Sequence, residues 1–203
     1  AYTYVENDYD DVTLGRTSDT GNEFYADFMW RLAKFFNLNG FAGYETYKAD
    51  SNHYNYSPGQ SADPTIDDGN PASYRWSQSI DTDFWTVGLS GKMPLMGDRL
   101  LLNLSWQYQK SNGKSDFSTE GLTALLPINA YEDFDINTLE AKTAYALTDA
   151  IDLTVGYLYE KTTYNDLQYE DYEYSPGGTY LSGAYTDHDY DNHVGYFTVR
   201  YKF

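Results

Sequence analysis

Apolar and polar residues alternate by twos along much of this chain, and no helical period competes with that alternation. In Leu100–Gln109, the residues Leu100, Leu102, Leu104, Trp106 and Tyr108 fall on one side, with Leu101, Asn103, Ser105, Gln107 and Gln109 on the other. Ile151–Glu160 repeats the pattern: Ile151, Leu153, Val155, Tyr157 and Tyr159 alternate with Asp152, Thr154, Gly156, Leu158 and Glu160. A weaker copy runs through Phe36, Leu38, Gly40, Ala42 and Tyr44. Successive side chains of a strand point to opposite faces, so each stretch predicts a strand with one greasy and one wet face. The C-terminal His193–Phe203 reads the same way, with Phe197, Val199, Tyr201 and Phe203 alternating with Thr198, Arg200 and Lys202.

Each of the three copies follows a tight connection, at Lys34-Phe35, Met96-Gly97-Asp98 and Thr148-Asp149-Ala150. Another alternating run precedes each connection, at Phe24–Leu32, Trp85–Met93 and Leu139–Leu147. Three hairpins and a strand at each end predict eight antiparallel strands. The remaining connections, near residues 9–23, 50–80, 112–134 and 163–192, are long, acidic and rich in Gly, Pro, Ser and Tyr. Short turns on one side and long polar loops on the other is the asymmetry of an outer-membrane barrel, which a soluble meander has no reason to show. The fold expected is therefore all-β: an antiparallel, transmembrane, up-and-down β-barrel of about eight strands, one domain over residues 1–203. Tyr44, Tyr108 and Tyr159 hold matching positions in the three copies, at the height where amphipathic rings settle at a membrane boundary.

This reading assigns Leu100, Leu102, Leu104, Trp106, Tyr108, Ile151, Leu153, Val155, Tyr157, Phe197, Val199, Tyr201 and Phe203 to the lipid. It assigns Asn103, Ser105, Gln107, Lys142, Thr154, Glu160 and Arg200 to the lumen. The location implied is the bacterial outer membrane, among its lipid and lipopolysaccharide. A terminal strand ending on Phe203 is also the kind of signal the barrel-assembly machinery reads. Ala1-Tyr2-Thr3-Tyr4 aligns with Gly156-Tyr157-Leu158-Tyr159, the upper half of a rising strand. A spanning strand needs about 9–11 residues. Either the first strand is incompletely represented or the chain is the C-terminal portion of a longer barrel; we expect the second, with the last strand pairing to one outside this sequence and not to the half strand at Tyr2–Tyr4.

Composition agrees. The chain has 23 Tyr, 10 Phe and 4 Trp, too much ring surface to leave in water without a packing partner, and that argues against disorder. A net charge of −18 argues against a nucleic-acid partner, since phosphate demands a basic surface. No apolar run approaches the roughly 18 residues of a transmembrane helix. With no Cys there is no disulfide, thiol nucleophile or covalent haem attachment motif.

Candidate chemistry is sparse. Asp187, Asp189 and Asp191 have the spacing of the front half of a calcium loop, but the sixth-place Gly and the closing acid are missing, so they are weak Ca²⁺ candidates beside the plainer reading of a solvated loop. His53, His188 and His193 lie in or beside expected loops without obvious metal partners. No elbow or fixed-spacing motif singles out a catalytic Ser, so no enzyme is expected. Asp27, Arg31, Glu45, Lys92, Glu140, Lys142, Glu160, Arg200 and Lys202 make a mixed-sign interior, expected to be a network of paired charges in preference to a selectivity or docking surface.

Asp98-Arg99-Leu100 through Gln109, and further Leu126-Pro127, Leu139-Glu140-Ala141-Lys142, Leu147-Thr148-Asp149 and Gly156 through Lys161, resemble the MtrB/PioB family of outer-membrane barrels. The resemblance runs from about residue 82 to the end, with a fainter echo in 1–50. It is one of strand cadence and turn wording. It implies a barrel that sheaths a multihaem c-type cytochrome and passes electrons across the outer membrane, with the haem carried by the partner and no cofactor bound by this chain. Family members are far longer, and some have an N-terminal cysteine pair that is not present here. An eight-stranded barrel is just wide enough to be filled by side chains, so a sheath would need further strands. The alternative is a small eight-stranded barrel or general porin with a structural or adhesive role.

Overall fold

A computed structural model of the chain describes residues 1–33, 36–54, 75–119, 129–165, 173–174, 181–182 and 188–202. The described residues are all-β. Eight long strands form one antiparallel sheet: β1 (Tyr2–Asp8), β2 (Gly15–Ala33), β3 (Phe36–Tyr54), β4 (Arg75–Leu95), β5 (Leu100–Thr119), β6 (Phe134–Ala146), β7 (Ile151–Tyr164) and β10 (Tyr190–Tyr201). A two-residue hairpin, β8 (Glu173–Tyr174) with β9 (Leu181–Ser182), lies between β7 and β10 in the chain. The strands are ordered as in the sequence, the up-and-down meander that the alternation predicts. Among the described residues no ladder joins β1 to β10.

Register carries each apolar residue onto apolar neighbours. Leu104 stands opposite Gly91 on one side and Ala141 on the other, and Ala141 in turn faces Tyr157. Trp106 faces Leu89 and Leu139, while Val155 faces Thr143 and Phe197. A slip of one residue in any ladder would throw an apolar set onto the polar face. The β4–β5 turn uses left-handed backbone at Met96, Gly97 and Asp98, with φ of 53°, 65° and 69°, which reverses the chain within a few residues.

The strands are longer than the alternation predicts. The expected loops 9–23, 50–80 and 112–134 begin or end as strand: Gly15–Glu23 belongs to β2, Asp50–Tyr54 to β3, Arg75–Ile80 to β4 and Asn112–Thr119 to β5. On β5 the apolar set stops at Tyr108, and Lys110, Asn112, Lys114 and Asp116 continue that face. Above the apolar band both faces meet polar surroundings, so alternation no longer marks the strand although the ladder continues.

The described residues build no apolar core of the kind a globular domain has. Glycine aside, Ala49 is the one apolar residue buried among the described residues, and the buried polar ones are Asp19, Ser111, Ser115 and Thr162. Register puts all five on the polar face, towards the long-loop end. The apolar face is bare instead: Phe28, Trp30, Trp85, Leu104, Leu139, Val155 and Tyr157 are exposed, and Phe197 is 61% exposed.

Candidate functional site: two faces and a boundary

The functional surface is the sheet itself, and its two faces are built for different surroundings. Register brings Leu100, Leu102, Leu104, Trp106, Tyr108, Ile151, Leu153, Val155, Tyr157, Phe197, Val199 and Tyr201 to a single face. Phe203, expected beside them, lies outside the described residues. Asn103, Ser105, Gln107, Lys142, Thr154, Glu160 and Arg200 share the other face. So large a contiguous apolar surface costs about 25 cal/mol per Å² in water, an expense removed when hydrocarbon covers it.

At the loop-side edge of the apolar band the three matched tyrosines acquire partners. Tyr44 Oη donates to Asp83 at 2.7 Å and Tyr159 Oη to Asp191 at 2.8 Å, and Tyr108 Oη donates to Asp135. In each case the acceptor lies two residues beyond the one directly opposite the tyrosine on the next strand. One geometry recurs three times round the sheet, with each ring towards the apolar band and each hydroxyl towards the charged zone above. Lys110 pairs with Asp135 at 3.9 Å and Lys114 with Asp81 at 4.0 Å in that zone. The tyrosines were legible in the sequence. Their carboxylates were not, because strand alternation does not reveal which residues are diagonal neighbours.

Asp191 is thus engaged by Tyr159, and Asp189 accepts the backbone amide of Tyr164 at 2.7 Å. Asp187, the first of the weak calcium candidates, lies outside the described residues. Among the described residues no three His, Asp or Glu side chains gather as metal ligands. His53 stacks on Trp76 with centroids 3.9 Å apart, and its burial lowers its pKa. Ser51 Oγ is 2.8 Å from His53 Nε2. His193 sits on the apolar face, its Nδ1 2.7 Å from Tyr157 Oη.

The polar face corrects one expectation. Of the nine charged residues expected to pair there, only Lys202 makes an ion pair among the described residues, to Asp152 at 3.0 Å. Register sets Lys92 and Lys142 opposite the neutral Asn103, and Glu160 opposite Thr138 and Asn192, so no opposite charge stands directly across from them. Glu140 instead accepts Tyr196 Oη at 2.9 Å, and Glu160 accepts Tyr190 Oη at 2.9 Å. The Tyr196 ring lies over Gly156, directly opposite, where a Cβ would overlap it. Near the short turns the face hollows into a trough of about 730 Å³ reaching from Ser90 and Lys92 across Asn103 and Lys142 to Arg200. Its basic lining includes Arg99, a turn residue that alternation gave no reason to single out.

At the other end, beyond the tyrosine boundary, Asp19 closes the β1–β2 hairpin. It accepts Asn7 Nδ2 at 2.7 Å and Tyr9 Oη at 2.9 Å, with Arg16 at 3.4 Å. Those donors, Asn7 foremost and then Tyr9, lower the Asp19 pKa below its ordinary 3.8.

No curated protein matches the chain. A family model described as "Putative outer membrane beta-barrel porin, MtrB/PioB" matches residues 1–203, extending through the stretch around 51–81 where the sequence reading found no likeness. An exposed apolar face, a charged inner face, a tyrosine boundary and an up-and-down meander are what such a barrel wall requires, and the chain belongs to the MtrB/PioB family of outer-membrane β-barrel porins.

Proposed function

We propose that this chain is wall and not machinery: part of an outer-membrane barrel that sheaths a multihaem c-type cytochrome and positions it for electron transfer across the membrane. The observation that carries this reading is an inner face that is lined but not filled. A closed eight-stranded barrel is just wide enough for its side chains to fill. Here Met29, on the polar face, is 80% exposed, and Val5, Tyr25 and Val194 on the same face are exposed too. That exposure fits a barrel wider than one its own side chains would fill, with room inside for a folded partner.

In this arrangement the haem belongs to the cytochrome, and the barrel does no chemistry of its own. The apolar face meets outer-membrane lipid, the charged zone above the tyrosines meets lipopolysaccharide, and the barrel-assembly machinery inserts the chain. The test is co-purification: extract the tagged protein from outer membranes in mild detergent and record the spectrum of the purified barrel. A Soret band travelling with the barrel at constant ratio is expected. A colourless, monodisperse barrel that passes ions across a planar bilayer would overturn the reading in favour of a general porin.

A further inference from the structure

The trough near the short turns stands apart electrostatically from the rest of the chain. Five of the chain's 13 basic residues line it: Lys92, Arg99, Lys142, Arg200 and Lys202. Its carboxylates are Asp98, Glu140 and Asp152, so the lining is +5 − 3 = +2 in a chain of net charge −18. Two of those three carboxylates are committed, Asp152 to Lys202 at 3.0 Å and Glu140 to Tyr196 at 2.9 Å. Lys92, Arg99, Lys142 and Arg200 make no ion pair within the described residues. Lone cations beside a low-dielectric wall focus a positive potential into the hollow.

We propose that this trough anchors an acidic segment of the protein held inside the barrel, through that segment's carboxylates. The inference rests on the sheath reading and adds where, and by what chemistry, the partner is held. The spacing selects the occupant. Lys92 is on β4, Lys142 on β6 and Arg200 on β10, four strand steps from end to end in the sheet order. At about 4.8 Å per step that span is roughly 19 Å, far wider than one phosphate or carboxylate and matched to several carboxylates along a chain. Elsewhere on that face the described residues include Glu23, Asp27, Glu45 and Glu160, which repel such a segment, so the trough gives it a foothold and an orientation. It lies at the short-turn end, the periplasmic side in barrels of this kind, where a partner made in the periplasm would enter.

The experiment uses the full-length protein in detergent and a fluorescein-labelled deca-glutamate peptide as probe. Binding is compared between the unaltered protein, Lys142→Glu/Arg200→Glu, and Lys110→Glu/Lys114→Glu, whose lysines are on the opposite face above the tyrosines. Heat-modifiable migration on gels shows that each variant is folded. The unaltered protein should bind with an affinity that falls with salt, the trough variant should bind at least about tenfold more weakly, and the outer variant should match the unaltered protein. Equal binding by all three would overturn the proposal. So would displacement of the peptide by inorganic phosphate at equal charge concentration, which would mean a small-anion site only. Haem read in the same preparations keeps the two ideas separate. If no haem accompanies any of the proteins but the peptide still discriminates between them, the sheath reading fails and the anionic anchor stands.

Discussion

The two faces of this sheet are made from the same strands, yet they obey opposite rules. On the apolar face large side chains lie bare and pack only along the sheet, and charge begins abruptly above Tyr44, Tyr108 and Tyr159. On the polar face charges stand mostly unpaired in the open near the short turns, while Ser111, Ser115 and Thr162 are buried near the long loops. A water-soluble sheet buries its apolar face and solvates the other. The reversal is what an apolar side built for a uniform solvent of hydrocarbon would show, whereas the polar side changes from one end to the other.

The sharpest way to break that contrast is to move one charge between faces. Leu104→Arg, on the apolar face, should cost about 2–4 kcal/mol of folding stability in lipid vesicles, measured by urea titration of tryptophan fluorescence. Gln107→Arg, on the polar face, should cost under about 1 kcal/mol. Equal costs would mean that the faces have been assigned to the wrong surroundings.

Glycines sharpen the contrast in packing. Gly156→Val drives a side chain into the Tyr196 ring and separates its hydroxyl from Glu140, for about 1–3 kcal/mol of overpacking. Gly195→Val, on the apolar face with nothing within 4 Å of its Cβ, should change stability by no more than about 0.5 kcal/mol in the same titration. Equal losses would show that Tyr196 has no fixed seat.

The smallest effect is a pH dependence confined to the long-loop end. The Asp19 pKa is lowered on folding, so its contribution is complete above 3.8 and is lost as pH falls through the lower, folded value. Hydrogen exchange at Asn7–Arg16 should therefore quicken on acidification below pH 3.8 relative to the short-turn end, and Asp19→Asn should abolish that difference. Exchange that rises uniformly over both ends would show that Asp19 is not the local clasp.

Much of this was legible in the chain because one face of each strand had to be apolar. The faces of β5, β7 and β10, the short turns at Met96-Gly97-Asp98 and Thr148-Asp149-Ala150, and the heights of the three tyrosines all follow from that requirement. The upper halves of β2 to β5 escaped because alternation disappears where both sides are polar, and only ladder pairing keeps Asn112–Thr119 extended.

Sequence by itself determined the two-residue period, the sign of each face and the order of the strands, since these depend on single side chains and their immediate neighbours. Tertiary structure alone decided which residues meet across strands: Tyr44 with Asp83, Tyr196 over Gly156, and four uncommitted cations from β4 to β10 round one hollow. Those meetings depend on register and on the curvature of the whole sheet. Residues scattered from Lys92 to Lys202 acquire a shared field only when the ladders lay them side by side.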